Sequence, residues 1–558
     1  MPNIITPTTL CDNFDDSLDL TAVTLKETVS DGVKLESVSF LGRDTGDGRV
    51  KIFGVFASDE KAPSSETVLI LPDSTDGIDT GLLKLFVKKG YSAFMVDYRG
   101  EWEDTEFSTL YPSVIDYANA SRCGRRKDFV DDSADKTCWF EWVAVGIYAH
   151  KYIKERTSSK DIAVLGIRDG GEVAWKLGVA KQFSCIVTAC AAGWKAYSGM
   201  SKFRPVEQEL DEERYRFIGG IDSQAYAPYV KSPVLMLCST NDGRFDYDRA
   251  YDTFSRINHD FAAESVITYS VRCDASIDSK STADMFMFLD KHLKHRQVFI
   301  PKPVELNVTI DEDDNLIANL KLDSQGIVED YGMYLAEDSI DSSVRDWSVC
   351  EHKRKISETE HEFFLNIYEK TSTIFALGFA RYTNGFTIWS KIAVKKISGN
   401  FRNTVGKCRV LYTGREGIEG FKVADPHSQA HGGIFFTDDG MVPQLVTKAK
   451  GIKGIYSVCG LTTYRINNPK FAPVNGNVLK IDIFCDNTQE VLFSLDDVES
   501  GETYKYSQSV LGGVWQSIIL KSKLFKTMNG VALDDYVRSL KFCITCEGEF
   551  AVNNVMWL

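Results

Sequence analysis

At 558 residues the chain is too long for one hydrophobic core, and its length sets an expectation of about three domains. A formal net charge of −15, with no local basic patch, excludes nucleic acid and anionic membrane surfaces as partners. Hydrophobic residues at 43% and charged residues at 26% fit a folded globular protein that buries ample core without disulfides.

The start, "MPNIITPTTLCDNFDDSLDL", has neither the basic nor the apolar region of a signal peptide. No run of about 18 apolar residues occurs, so no transmembrane helix is expected. With 13 scattered cysteines, free thiols in a reducing compartment are expected, and the localisation follows as cytoplasmic. Cys543 and Cys546 form the one CxxC, inside an apolar strand-like run where residues three apart face opposite sides. They read as packing, not as metal or redox chemistry.

In chain order, "ETVLILPDS" predicts a buried strand, "DTGLLKLFVKKG" a helix ended by Gly90, and "YSAFMVDYRG" a second strand. "CWFEWVAVGIYAHKYIKER" predicts a long helix. "DIAVLGI", "FSCIVTACAA" and "SPVLMLCST" continue the apolar strands. Strands that are apolar throughout, alternating with helices, predict a parallel sheet covered on both faces. Near residue 300 the period changes to two, and Asn384-Gly385 supplies a hairpin turn. The predicted layout is multidomain α/β plus all-β: an α/β domain over 1–298, a small antiparallel, Ig-like β-sandwich over 299–398, and a β-sandwich over 399–558.

The segment "VLGIRDGG" (164–171) runs from an apolar strand through a glycine turn into the helical "EVAWKLGVAKQF". This is the pattern of a nucleophile elbow, with Gly166 and Gly170 at its two glycines and Arg168 where serine stands. The region 35–298 resembles the α/β-hydrolase superfamily, most closely its acetyl xylan esterase and dienelactone-hydrolase-like members. The resemblance is carried by this elbow, by "GYSAFMVDYRGEWEDTE" and by "PVLMLCSTNDGRFDYDRAYDTF". It implies that Asp242 holds the position of the triad acid, and that the histidine belongs in the loop from Arg272 to Ser276, which has none. His150 and His259 lie elsewhere, and His292 and His295 follow the next helix. A guanidinium stays protonated and attacks no carbonyl. Losing serine or histidine from such a triad costs on the order of 10⁶ in turnover.

A one-residue slide makes Asp169 the nucleophile, but hydrolysis of the aspartyl ester again needs a histidine. Arg168 and Asp242 are therefore expected to form an ion pair. Asp73, Ser74 and Asp76, in "LPDSTDGIDTG", are expected to form turns and cap the next helix, with polar-ligand binding as the alternative. Glu101, Glu103, Asp104 and Glu106 are expected in a solvated loop, with an acidic rim for a cation or basic peptide as the alternative.

The last region resembles the galactose-binding-like jelly roll of carbohydrate-binding modules, on "SVLGGVWQSIILKSKLFK" and "FAVNNVMWL". Trp515 and Trp557 are expected in the core, and Tyr504, Tyr506 and His431 as exposed ligand contacts. The resemblance allows a structural calcium, for which Asp438, Asp439 and Asp486 offer oxygens. No other cofactor is expected. The expected function is non-catalytic binding of a glycan or a protein partner, with candidate ligand contacts Asp73, Ser74, Arg168, Asp242, Tyr504 and Tyr506. The alternatives are a carbohydrate esterase or deacylase of the acetyl xylan esterase type with a non-standard site at Asp169 or Asp242, and a structural or assembly protein.

Overall fold

The computed structural model describes residues 5–12, 14–100, 107–157, 159, 161–203, 209–274, 276–399, 401–424, 435–436, 443–457 and 460–558. The acids expected at 101–106, His431, Asp438 and Asp439 lie outside them.

The first half is built on one nine-stranded sheet. Its strands are β1 (Val23–Ser30), β2 (Val33–Asp44), β3 (Arg49–Asp59), β4 (Thr67–Leu71), β5 (Ser92–Asp97), β6 (Ile162–Ile167), β7 (Ile186–Ala189), β8 (Val234–Ser239) and β9 (Val266–Ser270). They lie in the order β1-β2-β3-β5-β4-β6-β7-β8-β9. The pairs from β1 to β5 are antiparallel, and every pair from β5 to β9 is parallel. The apolar runs at β4, β6 and β8 are buried along their whole length, because helices cover both faces of the sheet. The helices are α1 (Thr80–Lys88), α2 (Cys138–Thr157), α3 (Asp169–Ala180), α4 (Glu212–Gly220), α5 (Tyr247–Phe254), α6 (His259–Ala262) and α7 (Ser279–His292).

After β4 the chain crosses to β5 on one side, and β6 returns to the other. That reversal opens a crevice at the carboxyl ends of β4 and β6, where doubly wound sheets place their sites. Helix α1 is capped by Asp79, whose Oδ1 accepts from the backbone N–H of Gly81 at 2.8 Å and Leu82 at 3.0 Å. The cap expected from Asp73 or Ser74 is thus supplied further along, which leaves those two side chains for the crevice.

From Glu305 to Lys396 the strands form one four-stranded and one five-stranded antiparallel sheet, apart from the short strand Ile367–Tyr368, which pairs in parallel with Thr404–Val405. Their apolar faces join the core of the first half, so buried residues from Leu10 to Ile397 form one continuous cluster. Between Val410 and Trp557 two further sheets, of six and five strands, enclose a separate core from Leu411 to Trp557. Trp557 belongs to that core as expected. Trp515 does not: it is half-buried on the outer side, its ring 5.5 Å from Phe484.

The β-rich half docks on the crevice end of the nine-stranded sheet. Asn241, beside Asp242, donates to the carbonyl oxygens of Ser343 (3.3 Å) and Arg345 (2.8 Å). Arg345, 0% exposed, grips Asp248 with both guanidinium nitrogens, at 2.7 and 2.9 Å. The loop after β9 is held by Arg272 on Glu419 at 2.8 Å and by Lys541 on Asp274. A short strand next to it, Ser276–Ile277, pairs in parallel with Phe435–Phe436. No helix among the described residues is long and apolar enough to cross a membrane.

Arg345→Ala strands Asp248 as an unpaired buried charge. Asp248→Asn leaves the Arg345 guanidinium without its counter-ion in turn, and each variant is expected to lose about 3–5 kcal/mol in denaturant unfolding.

Candidate functional site

The site is set by a turn too tight for side chains. A Cβ at Gly166 meets the Gly170 oxygen at 2.3 Å, and one at Gly170 meets the Leu71 oxygen at 2.1 Å. The start of α3 is thereby pressed against β6 and the end of β4. The turn residue, Arg168, has φ +49° and ψ −112°, a strained backbone for any residue with a Cβ. This conformation is held by the Arg168 N–H, which donates to the Ala189 oxygen at 2.8 Å, and by the Glu172 N–H, which donates to the Arg168 oxygen at 3.0 Å.

The Arg168 guanidinium, 5% exposed, lies 2.8 Å from Oδ2 of Asp242 in the loop after β8. The backbone N–H of Arg244 donates to the other Asp242 oxygen at 2.8 Å, and the Arg244 side chain reaches Asp73 at 2.9 Å. An alternating row of charge therefore runs from Arg168 through Asp242 and Arg244 to Asp73, joining the loops after β6, β8 and β4. Burial pushes the Asp242 carboxyl up and Arg168 pulls it down, with burial prevailing. Burial and then the Asp73 charge push Asp76, half-buried beside this row, up to about 6.

Asp169 is enclosed by a second cluster. Its carboxylate lies 2.7 Å from the Lys195 ammonium and 2.6 Å from that of Lys127, and it accepts from the Ser74 hydroxyl at 2.5 Å. Burial raises this carboxyl, but the two ammonium groups outweigh it and hold Asp169 well below the usual carboxylate range. A carboxylate bound this way is a poor base and a poor nucleophile, because its lone pairs are already committed. Behind it, Lys176 is buried against Glu172 and Ser223, donating to the Glu172 oxygen at 2.9 Å and to the Ser223 hydroxyl at 3.2 Å. Burial lowers the Lys176 ammonium to about 8.

Of the residues singled out from sequence, the structure brings together Arg168, Asp169, Asp242, Asp73, Ser74 and Asp76. It sets Tyr504 and Tyr506 apart in the C-terminal sandwich. Tyr504, expected to be exposed, is 6% exposed and belongs to the core. It stands opposite Leu495 in the strand pair and fills an inward position. Tyr506 is half-buried, its ring 6.1 Å from Phe525. Asp486, considered for calcium, takes the Lys448 ammonium at 2.6 Å. Among the described residues no three His, Cys, Asp or Glu side chains group to hold a metal ion. Among the described residues, too, no partner of Arg168, Asp169 or Asp242 is a histidine. His150 packs on Phe183 in α2, and His295 pairs with Asp161 at 3.0 Å. His427 and His431 lie outside the described residues.

Lys127, Lys195 and Arg244 escaped the sequence reading. Lys127 stands in a basic run followed at once by acids, which reads as neutral surface. Lys195 follows a loop without a recognisable pattern. Arg244, two residues past Asp242, was the one with a usable signal.

The sequence matches no family model and no curated protein sequence. Similar solved structures include the acetyl xylan esterase from Paenibacillus sp. R4, at 14% identity over 51% of this chain and 92% of that one, TM-score 0.38. Acetyl xylan esterase 1 from Thermoanaerobacterium sp. JW/SL YS485 is similar at 15% identity over 50% of this chain and 92% of that one, TM-score 0.36. An α/β serine hydrolase homologue from Coxiella burnetii is similar at 12% identity over 42% of this chain and 87% of that one, TM-score 0.26. The first half of the chain is a mixed α/β fold, a mostly parallel sheet with a strained turn between β6 and α3.

Two outcomes are expected. Arg168→Met and Asp242→Leu each leave one buried charge alone and lose about 3–5 kcal/mol, whereas the double variant loses clearly less than their sum in a denaturation cycle. Asp76, raised above its unfolded value, binds a proton more tightly in the folded state. Measured by unfolding at stepped pH, the stability of the wild type relative to Asp76→Asn is therefore greatest below about pH 4 and declines as pH rises towards 6.

Proposed function

We propose that the chain is a non-catalytic α/β-hydrolase-like protein that acts by binding, with a glycan or another protein as its partner. The observation that carries this reading is the Arg168 guanidinium at the elbow, buried and ion-paired with Asp242 at 2.8 Å. The residue placed for attack is a permanent cation, and the acid that would steer a histidine is spent on neutralising it. The neighbouring carboxylate, Asp169, is neutralised in turn by two lysines and a hydroxyl. What the elbow retains is its architecture, now an anchor for three loops. The C-terminal sandwich, read as a galactose-binding-like module, is the candidate glycan contact on this proposal.

A second reading, a carbohydrate esterase or deacylase of the acetyl xylan esterase type, is favoured by one feature: the strained elbow and its acid are both kept, with the Ser74 hydroxyl 2.5 Å from Asp169. Hydrolysis of p-nitrophenyl acetate separates the two. The wild type is expected to match a buffer blank. Ser74→Ala, Asp169→Asn, Asp242→Asn, His427→Ala and His431→Ala are expected to leave that rate unchanged. A rate above the blank that drops about tenfold or more in any of these variants, each still folded by circular dichroism, establishes the esterase reading instead.

A further inference from the structure

Where the loops of the two β regions meet, the surface holds a cavity of about 490 Å³, away from the elbow. One wall is the turn after Val328–Glu337, with Asp338, Ile340 and Asp341; the other comes from the C-terminal region, with Pro473, Glu499 and Val537. Its floor is apolar: Val344 and Ile466 are buried there. Ile340 and Val537 remain 38% and 52% exposed at its edge, so aliphatic surface continues from the floor to the rim.

The charge around this floor is one-sided. Asp341 uses Oδ1 to accept from Ser343, and Glu499 uses Oε1 to accept from the Ser539 hydroxyl. Each side chain is thereby fixed in place. Asp341 Oδ2 and Glu499 Oε2 take no hydrogen bond among the described residues. Among the described residues the one cation lining the cavity, Arg538, is already tied to Asp497 at 3.1 Å and lies 3.9 Å from Asp534. Among the described residues the lining has no exposed aromatic ring on which a sugar would stack: its tyrosine, Tyr536, is buried and donates to the Leu520 oxygen at 2.9 Å.

An apolar floor under an acidic rim suits side chains that are aliphatic along the stem and cationic at the tip, which are lysine and arginine. We infer that this cavity docks a basic segment of a partner protein, laying Lys or Arg stems on Ile340 and Val537 and their charged heads against Asp341 and Glu499. The chain's net charge of −15 adds long-range attraction for such a partner. The inference rests on the binding reading above and selects a protein over a glycan as the partner. It is tested without the elbow, so an esterase activity would overturn that reading and leave this cavity standing.

The probe is a fluorescein-labelled nonapeptide of alternating lysine and leucine, titrated with the full chain by fluorescence anisotropy, with the glutamate–leucine counterpart as control. Saturable binding of the lysine peptide alone is expected. Asp341→Asn/Glu499→Gln, which keeps the internal hydrogen bonds, is expected to weaken it about tenfold at about 50 mM salt, and Ile340→Ser/Val537→Ser to weaken it several-fold. Glu305→Gln/Glu360→Gln, an exposed pair on strands away from the cavity, is expected to leave it unchanged. Thermal melting of each variant confirms folding. Absent binding, equal binding of the glutamate peptide, or equal weakening by the distant pair overturns the inference.

Discussion

A guanidinium in the sharpest turn of the sheet must be neutralised where it stands, because water cannot reach it. In this chain Asp242 meets that demand, and much of the crevice is arranged around the pair. Asp242 can serve Arg168 only if the loop after β8 closes on the elbow; that closure brings Arg244 to Asp73 and ties in the loop after β4. The same loop carries Asn241 into the carbonyls of Ser343 and Arg345. The arrangement of one buried pair thus extends into the packing of the β-rich half against the sheet.

The second cluster extends this logic with reversed signs. Asp169 is a buried anion next to the buried cation, and it draws Lys127 and Lys195 from two separate loops. Charges of both signs alternate through the crevice, and each compensates a neighbour. Such a network satisfies each buried charge locally and ties several separate loops to one edge of the sheet.

How much of this was legible in the sequence depends on the distance a signal has to travel. The elbow is local: glycine spacing around Arg168 announces a close strand–helix approach, and the structure has it. Asp242 was legible because a buried apolar strand delivers it to the same edge. The lysines around Asp169 were not, since their roles arise from loop paths that no nearby pattern encodes. Asp73 and Ser74 looked like helix caps because that signal is common and short-range, but Asp79 occupies the cap. In β1 the sequence misleads about burial: Val23, Leu25 and Val29 alternate along one face, yet the strand is exposed along its whole length at the sheet's edge. For Trp515 and Tyr504 the alternation of the strands was visible, but which side was inward was not, because register depends on partner strands far along the chain.

The loop after β9 is gripped by Glu419 and Lys541, some 150 to 270 residues downstream. On the ribosome, the first half therefore emerges long before the side chains that fasten this loop have been synthesised. A sheet that formed during synthesis would do so with its crevice edge unsecured, and Asp274 would await its counter-ion until Lys541 arrives. Vectorial synthesis thus leaves the final fastening of the molecule to its carboxyl end.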